Sequence, residues 1–207
     1  MSLVSSCRRP SLVAAAVIAA IGASAAPAPA SGTATCPAVP TSNPFARWGD
    51  NAQYQLAPGG SVERAAAGWS LTGGAAVAEG NETFMVTGPR DHLSMLLPSG
   101  ASATNARMCV GVEHPTFRFF AKRSSGPASS TLAVDVVYTD AAGRERSLRA
   151  GTISGSDAWA PSPVLPTMAE QIGATPDDTV EISFRFKSQA GATWSIDDLY
   201  VDPHKIP

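Results

Sequence analysis

The chain is poor in the residues on which much enzyme chemistry depends. It has three His and three Cys in 207 residues. No H-E-x-x-H, phosphate-binding loop or dinucleotide fingerprint occurs, so zincin and nucleotide chemistry lack their sequence support. G-x-S-x-G is also missing; Gly151-Thr152-Ile153-Ser154-Gly155 has the wrong spacing for it. His204 sits in the tail, His114 precedes Pro115 in a loop, and His92 follows Asp91 directly. Neighbours on a strand point to opposite faces, so that adjacency is no triad. Charged residues are 15% of the chain, Lys occurs three times, and the net charge is −2. A mildly acidic, patternless balance argues against a nucleic acid or an anionic membrane as partner. Beyond residue 30 no apolar run reaches the roughly 20 residues of a spanning helix, so the mature form is expected to carry no membrane span. Long amphipathic helices and internal repeats are missing too.

What is present begins with a targeting pattern. Arg8 and Arg9 precede the apolar run Leu12–Ile21, and Ala23-Ser24-Ala25 or Ala28-Pro29-Ala30 offers a cleavage point. This reads as a secretory signal over residues 1–30, which implies a secreted, extracellular protein. Residues 31–44, rich in Pro, Ser and Thr, read as an extended lead-in, and 45–207 as one domain. Cys7 leaves with the signal. Cys36 and Cys109 then remain as an even pair in an oxidising compartment and are expected to be disulfide-bonded. Two thiols with no CxxC and no nearby His do not suggest zinc.

From residue 53 onward, short apolar runs recur between Gly, Pro, Ser and Asp clusters. The candidates are 53–56, 68–72, 75–78, 83–87, 93–97, 107–112, 116–121, 132–139, 146–152, 180–187 and 194–201. Such spacing predicts an all-β fold, an antiparallel β-sandwich or barrel. Leu132, Val134, Val136 and Tyr138 share one face of a period-2 pattern; so do Val180, Ile182, Phe184 and Phe186. These, with Ile196, are the expected core. Tyr138–Arg144 reads as a hairpin turn with Gly143 near its end. One short helix is expected where Thr167-Met168-Ala169-Glu170 matches a capping box and Gly173 ends it.

The last run, Thr193–Pro203, is the most informative. Two adjacent carboxylates, Asp197 and Asp198, interrupt an aromatic-rich strand, although strands deplete Asp. Ile196 and Leu199 are three apart, so both face a core only if a bulge takes up one residue.

Gly60-Ser61-Val62-Glu63 followed by Gly68-Trp69, together with the closing Trp194-Ser195-Ile196-Asp197-Asp198-Leu199-Tyr200-Val201, resembles the galactose-binding-like jelly rolls, the fold of many carbohydrate-binding modules. The resemblance spans residues 45–203 in architecture and some fifteen residues in motif. It implies a structural Ca²⁺ where the first and last strands meet. Carried over by position, the side chains implied are Glu63 and Asp197, with Asp198 as the alternate. Ca²⁺ takes several hard oxygens, including carboxylates. The competing reading makes Glu63 a solvated turn residue and the Asp pair a bulge former.

The functional expectation is a secreted, non-catalytic binding module for a glycan or cell-wall polymer. The alternatives are a cell-envelope structural or interaction protein with no sugar site, and, more weakly, a glycan-cleaving enzyme. For the last, Glu79, Glu82, Glu113, Asp135 and Glu181 are candidate carboxylates, but no spacing singles out a pair. Sugars stack on exposed indoles. Of Trp48, Trp69, Trp159 and Trp194, only Trp159 lies in a polar loop and is expected to be exposed, which makes it the ligand-binding candidate.

Overall fold

The computed structural model describes residues 36–64, 66–189 and 191–203. The expected signal segment, the start of the lead-in and His204 lie outside the described residues. Nearly all the regular structure is β, in two antiparallel sheets. One contains β1 (Thr41–Ser42), β2 (Tyr54–Leu56), β4 (Ala76–Glu79), β5 (Leu93–Leu97), β8 (Thr116–Ser125), β11 (Ala160–Pro161), β12 (Leu165–Pro166) and β14 (Thr193–Val201). The other contains β3 (Ser70–Thr72), β6 (Ser102–Thr104), β7 (Met108–Val110), β9 (Thr131–Thr139), β10 (Glu145–Ser154) and β13 (Val180–Ser188).

Each sheet is organised by one central strand. β13 pairs with β9 on one side and with β7, then β6, on the other. β14 pairs with β8 along its length; its other edge passes from β5 at Trp194–Ile196 to β2 at Tyr200–Val201. The register slips between Asp197 and Tyr200, where that edge changes hands. This is the bulge the Ile196/Leu199 spacing requires, and both side chains are 2% exposed in the main core.

The expected core faces meet between the sheets. Leu132, Val134, Val136, Ile182, Phe184, Phe186 and Ile196 are buried there, and Val180 packs half-buried at the edge. Phe117 and Phe119 of β8 join them, with Phe117 tilted against Phe184 at 4.1 Å. Phe120, one residue on, points to the other side of its sheet. It sits in a second cluster with Phe45, Tyr54, Trp159 and Tyr200. Segment 43–52 is strapped over this outer face. Arg118 donates to Asp50 at 2.7 Å and to the Ser162 carbonyl, and its guanidinium lies over the Phe45 ring.

Cys36 and Cys109 are disulfide-bonded, which ties the lead-in to β7. The β9–β10 hairpin turns where expected, with the Asp140 N–H donating to Arg144 O and Gly143 at φ +74°. Three local expectations differ. Residues 83–87 form no strand, because Glu82 captures their backbone, as described below. The helix α1 (Ala169–Ile172) has no side-chain cap. Thr167 instead donates its hydroxyl to His114 O, and Met168 enters the helix at φ +61°. The short strand β6 was not marked by any apolar run.

A candidate metal centre and a polar sheet face

The bulge on β14 holds its two carboxylates in different environments. Asp198 adopts φ +49°, an unusual backbone for an Asp that turns consecutive side chains off the normal pleat. Asp197 Oδ1 accepts the Asp198 N–H at 2.9 Å, and Oδ2 accepts the Glu82 N–H at 3.0 Å. Asp198 Oδ1 accepts the Thr87 hydroxyl at 2.6 Å, and Thr87 Oγ1 lies 2.7 Å from the Tyr200 hydroxyl. Asp198 Oδ2 is buried with no hydrogen-bond partner.

Glu82 is fully buried and builds the loop beside the pair. Its Oε2 accepts the Phe84 N–H at 2.5 Å and Oε1 the Val86 N–H at 2.7 Å. Glu63 is brought in by a close approach. Gly60 O accepts the Leu199 N–H at 3.1 Å, and a Cβ on Gly60 would stand 2.6 Å from the Leu199 carbonyl oxygen. Glu63 Oε1 then accepts the N–H groups of His92 and Leu93, and Oε2 lies 3.1 Å from His92 Nδ1. Asp91, beside them, has a buried Oδ2 with no partner.

Five carboxyl groups thus share one end of the bulge. Among the described residues of the cluster, Glu63 lies against His92, whose side chain is largely exposed. Burial, then Asp198, pushes the Asp197 pKa upward. Burial, then Glu82, Asp91 and Glu63, raises that of Asp198 against the opposing Thr87 hydrogen bond. Burial and Glu63 raise Asp91. A carboxylate that cannot shed its charge cost to a cation protonates instead.

These donors suit Ca²⁺ chemically, being hard oxygens with two buried and unpartnered. The arrangement also sorts the sequence candidates. Asp198 and Asp91 each keep a buried oxygen without a hydrogen-bond partner, whereas both Asp197 oxygens are engaged by backbone N–H groups. Glu82 and Asp91 had not been singled out as metal candidates. Nothing in their spacing marks them, since the contacts join residues more than a hundred positions apart.

Trp159 is 8% exposed, with Lys122 over its ring at 4.9 Å. The polar loop around it does not keep it in water, because the strand pairing of β11 with β8 lays it on the second cluster. Trp194 is fully buried, and Trp48 and Trp69 are half-buried. Of the candidate carboxylates for cleavage, Glu82 is bound to backbone, Asp135 pairs with Arg149, and Glu113 lies beside His114.

The outward face of the second sheet is polar. Arg185 bridges Thr104 and Glu145, Arg107 donates to Thr139, and Thr72 meets Ser102 at 2.8 Å. A groove of about 240 Å³ runs along it, lined by Ser70, Thr104, Asn105, Arg107, Glu145 and Ser183 among others. Asn105 is 3% exposed. Its Oδ1 accepts the Phe184 N–H at 2.6 Å, and its Nδ2 has no partner.

No protein-family model matches this chain, and no curated protein matches it in sequence. Solved structures do. The N-terminal CBM22-1-GH10 modules of Clostridium thermocellum endo-1,4-beta-D-xylanase 10B, complexed with xylohexaose, superpose with a TM-score of 0.52 at 15% identity. That match covers 72% of this chain and 28% of the xylanase chain. The CBM22-1 xylan-binding domain from Paenibacillus barcinonensis Xyn10C gives 0.46 at 15% identity, over 69% and 90%. TmCBM61, complexed with beta-1,4-galactotriose, gives 0.40 at 18% identity, over 70% and 96%. The likeness that carries weight is the first, and it is one of fold: a β-sandwich of the carbohydrate-binding-module type.

Proposed function

We propose that this protein is a secreted, non-catalytic module that binds a glycan across the outward face of its second sheet. The observation that carries this reading is the polar groove on that face, lined by Ser70, Thr104, Asn105, Arg107, Glu145 and Ser183. Sugar hydroxyls both donate and accept, so a cleft lined by hydroxyl, guanidinium and carboxylate groups can pair with them. Arg107 and Glu145 add a donor and an acceptor at the same cleft. The fold match to xylanase modules and the N-terminal Arg-plus-apolar run support glycan binding and export respectively. We propose further that Ca²⁺ is held structurally by Asp198 with Glu63 and Asp91, neutralising the carboxyl cluster and pinning the β14 bulge.

Affinity electrophoresis and calorimetry with soluble xylan and β-1,4-galactan test the binding. The protein is expected to be retarded by at least one of them. Arg107→Ala, a change at an exposed side chain, is expected to weaken binding about tenfold, or ~1.4 kcal/mol, with an unchanged melt. No retention on a broad glycan array would remove the function, and undiminished binding by Arg107→Ala would remove this face.

A further inference from the structure

We infer that the cleft between the lead-in, the start of β2 and the end of β14 is a second binding site, for a single uncharged sugar unit held through its hydroxyls. The cleft measures about 630 Å³, within the roughly 300–1,000 Å³ range of small-ligand sites. It shares no lining residue with the groove on the second sheet, so it stands apart from that reading. Two of its lining side chains, Gln55 and His114, are 5% and 4% exposed. Each keeps a polar group without a hydrogen bond among the described residues: the Gln55 amide and the His114 Nε2.

Strand pairing makes Gln55 an unexpected residue where it stands. On β2 it lies opposite Val201 of the main core, whereas Tyr54 and Leu56 join the aromatic cluster on the other side of the sheet. Residues opposite each other share a face, so Gln55 takes the core side, where an apolar residue is the rule. Thr41 on β1 and Val201 on β14 hold its backbone from both edges. A buried amide left unpaired is costly, and a ligand hydroxyl in the cleft removes that cost. His114 is fixed as firmly. Its N–H donates to Gly111 O at 3.0 Å, and the Thr167 hydroxyl donates to its carbonyl. Its Nδ1 accepts the Gly111 N–H at 3.1 Å. Burial lowers its pKa, so the ring is neutral and its proton sits on Nε2 as a donor.

Charge and polarity select the ligand. Glu113 and Asp202 line the cleft, with no Lys or Arg among its described lining residues, so an anion is disfavoured. A cation suits the carboxylates but leaves the Gln55 and His114 N–H groups without an acceptor. A hydroxyl both donates and accepts from one oxygen. Hydroxyls on neighbouring ring carbons therefore match all three kinds of group: the Glu113 carboxylate as acceptor, the His114 N–H as donor and the Gln55 amide as both. Pro37 and Val39 of the lead-in supply an apolar wall for the C–H face of the ring. That wall is held at one end by the Cys36–Cys109 disulfide and at the other by β1.

The test is a titration of the ¹⁵N-labelled full chain with methyl β-xyloside, methyl β-galactoside and N-acetylglucosamine, read by NMR, with methylammonium as the cationic control. At least one sugar is expected to shift the Gln55 side-chain amide and the His114 ring signals saturably, with a Kd on the order of 1–10 mM. Gln55→Leu keeps a similar volume and suits the core side, so its melt is expected to be unchanged or higher while binding falls at least tenfold. Glu113→Gln, a milder change at a half-buried position, is expected to weaken binding about fivefold with the fold intact. The inference is overturned if no sugar shifts these signals at about 100 mM, or if methylammonium shifts them and the sugars do not. It is equally overturned if Gln55→Leu binds as tightly as the parent. Sugar-induced shifts confined to Ser70, Thr104 and Ser183 would support the second-sheet groove and overturn this site.

Discussion

Phe184→Ala is expected to destabilise the domain by about 3–5 kcal/mol, the range for emptying a fully buried aromatic site. Phe184 is 0% exposed at the middle of β13, the strand to which β9 and the β6–β7 edge both attach. Its ring lies 4.1 Å from that of Phe117 on the opposite sheet, so truncation leaves a void between the sheets. Few neighbours can move in, because their backbones are fixed by ladders on both sides. At about 2–4 °C per kcal/mol for a domain of this size, the melting temperature is expected to fall by roughly 6–20 °C. A urea midpoint that moves by less than the equivalent of about 1 kcal/mol would mean that the β13 faces are reversed.

The sequence was most legible where one face of a strand is wet. In β9 and β13 the alternation of apolar and polar residues names the buried side chains, because water selects them at every second position. The β14 bulge was also legible, since two core residues three apart cannot both face inward on a regular pleat. The same logic shows where reading failed. Residues 83–87 have strand-like composition, but the Glu82 carboxylate takes the Phe84 and Val86 N–H groups, and no local pattern encodes that capture. Thr167 matched a cap, yet the His114 carbonyl offers its hydroxyl a partner 53 residues away. Trp159 looked exposed from its polar neighbours, while tertiary contact with Lys122 and the second cluster buries it. At the candidate sites, Asp197, Asp198 and Glu63 could be picked out by motif. Asp91 and Asn105 could not, because each acquires its surroundings from residues distant in sequence, Glu63 for the first and Phe184 for the second.

The carboxyl cluster leads to the second large effect, a stability whose pH dependence reverses with Ca²⁺. Without a cation, the folded pKa of Asp198 is pushed up to about 7 and that of Asp197 to about 9, from an unfolded value near 3.8. Between these limits the folded state holds more protons than the unfolded state, so stability falls as pH rises from about 4 towards 9. At Asp198 a rise of this size corresponds to about 4 kcal/mol lost once that group is ionised. In EDTA, the melting temperature is therefore expected to be higher at pH 5 than at pH 8. At Asp198 the charges of Glu82, Asp91 and Glu63 push in the same direction as burial, and the Thr87 hydrogen bond opposes them. Ca²⁺ requires the ionised carboxylates, so its stabilising effect is expected to be greatest at pH 8 and to fade towards pH 5. Asp198→Asn separates the charge from the shape, because Asn tolerates the left-handed backbone at this position. It is expected to raise the EDTA melt at pH 8 and to abolish the response to Ca²⁺. Asp197→Ala is expected to lower stability equally with and without Ca²⁺, since it removes the acceptor for the Glu82 and Asp198 N–H groups. Melts of the parent chain that ignore both Ca²⁺ and EDTA at every pH would dispose of the ion while leaving the bulge and the sandwich in place, because these rest on strand register and core burial.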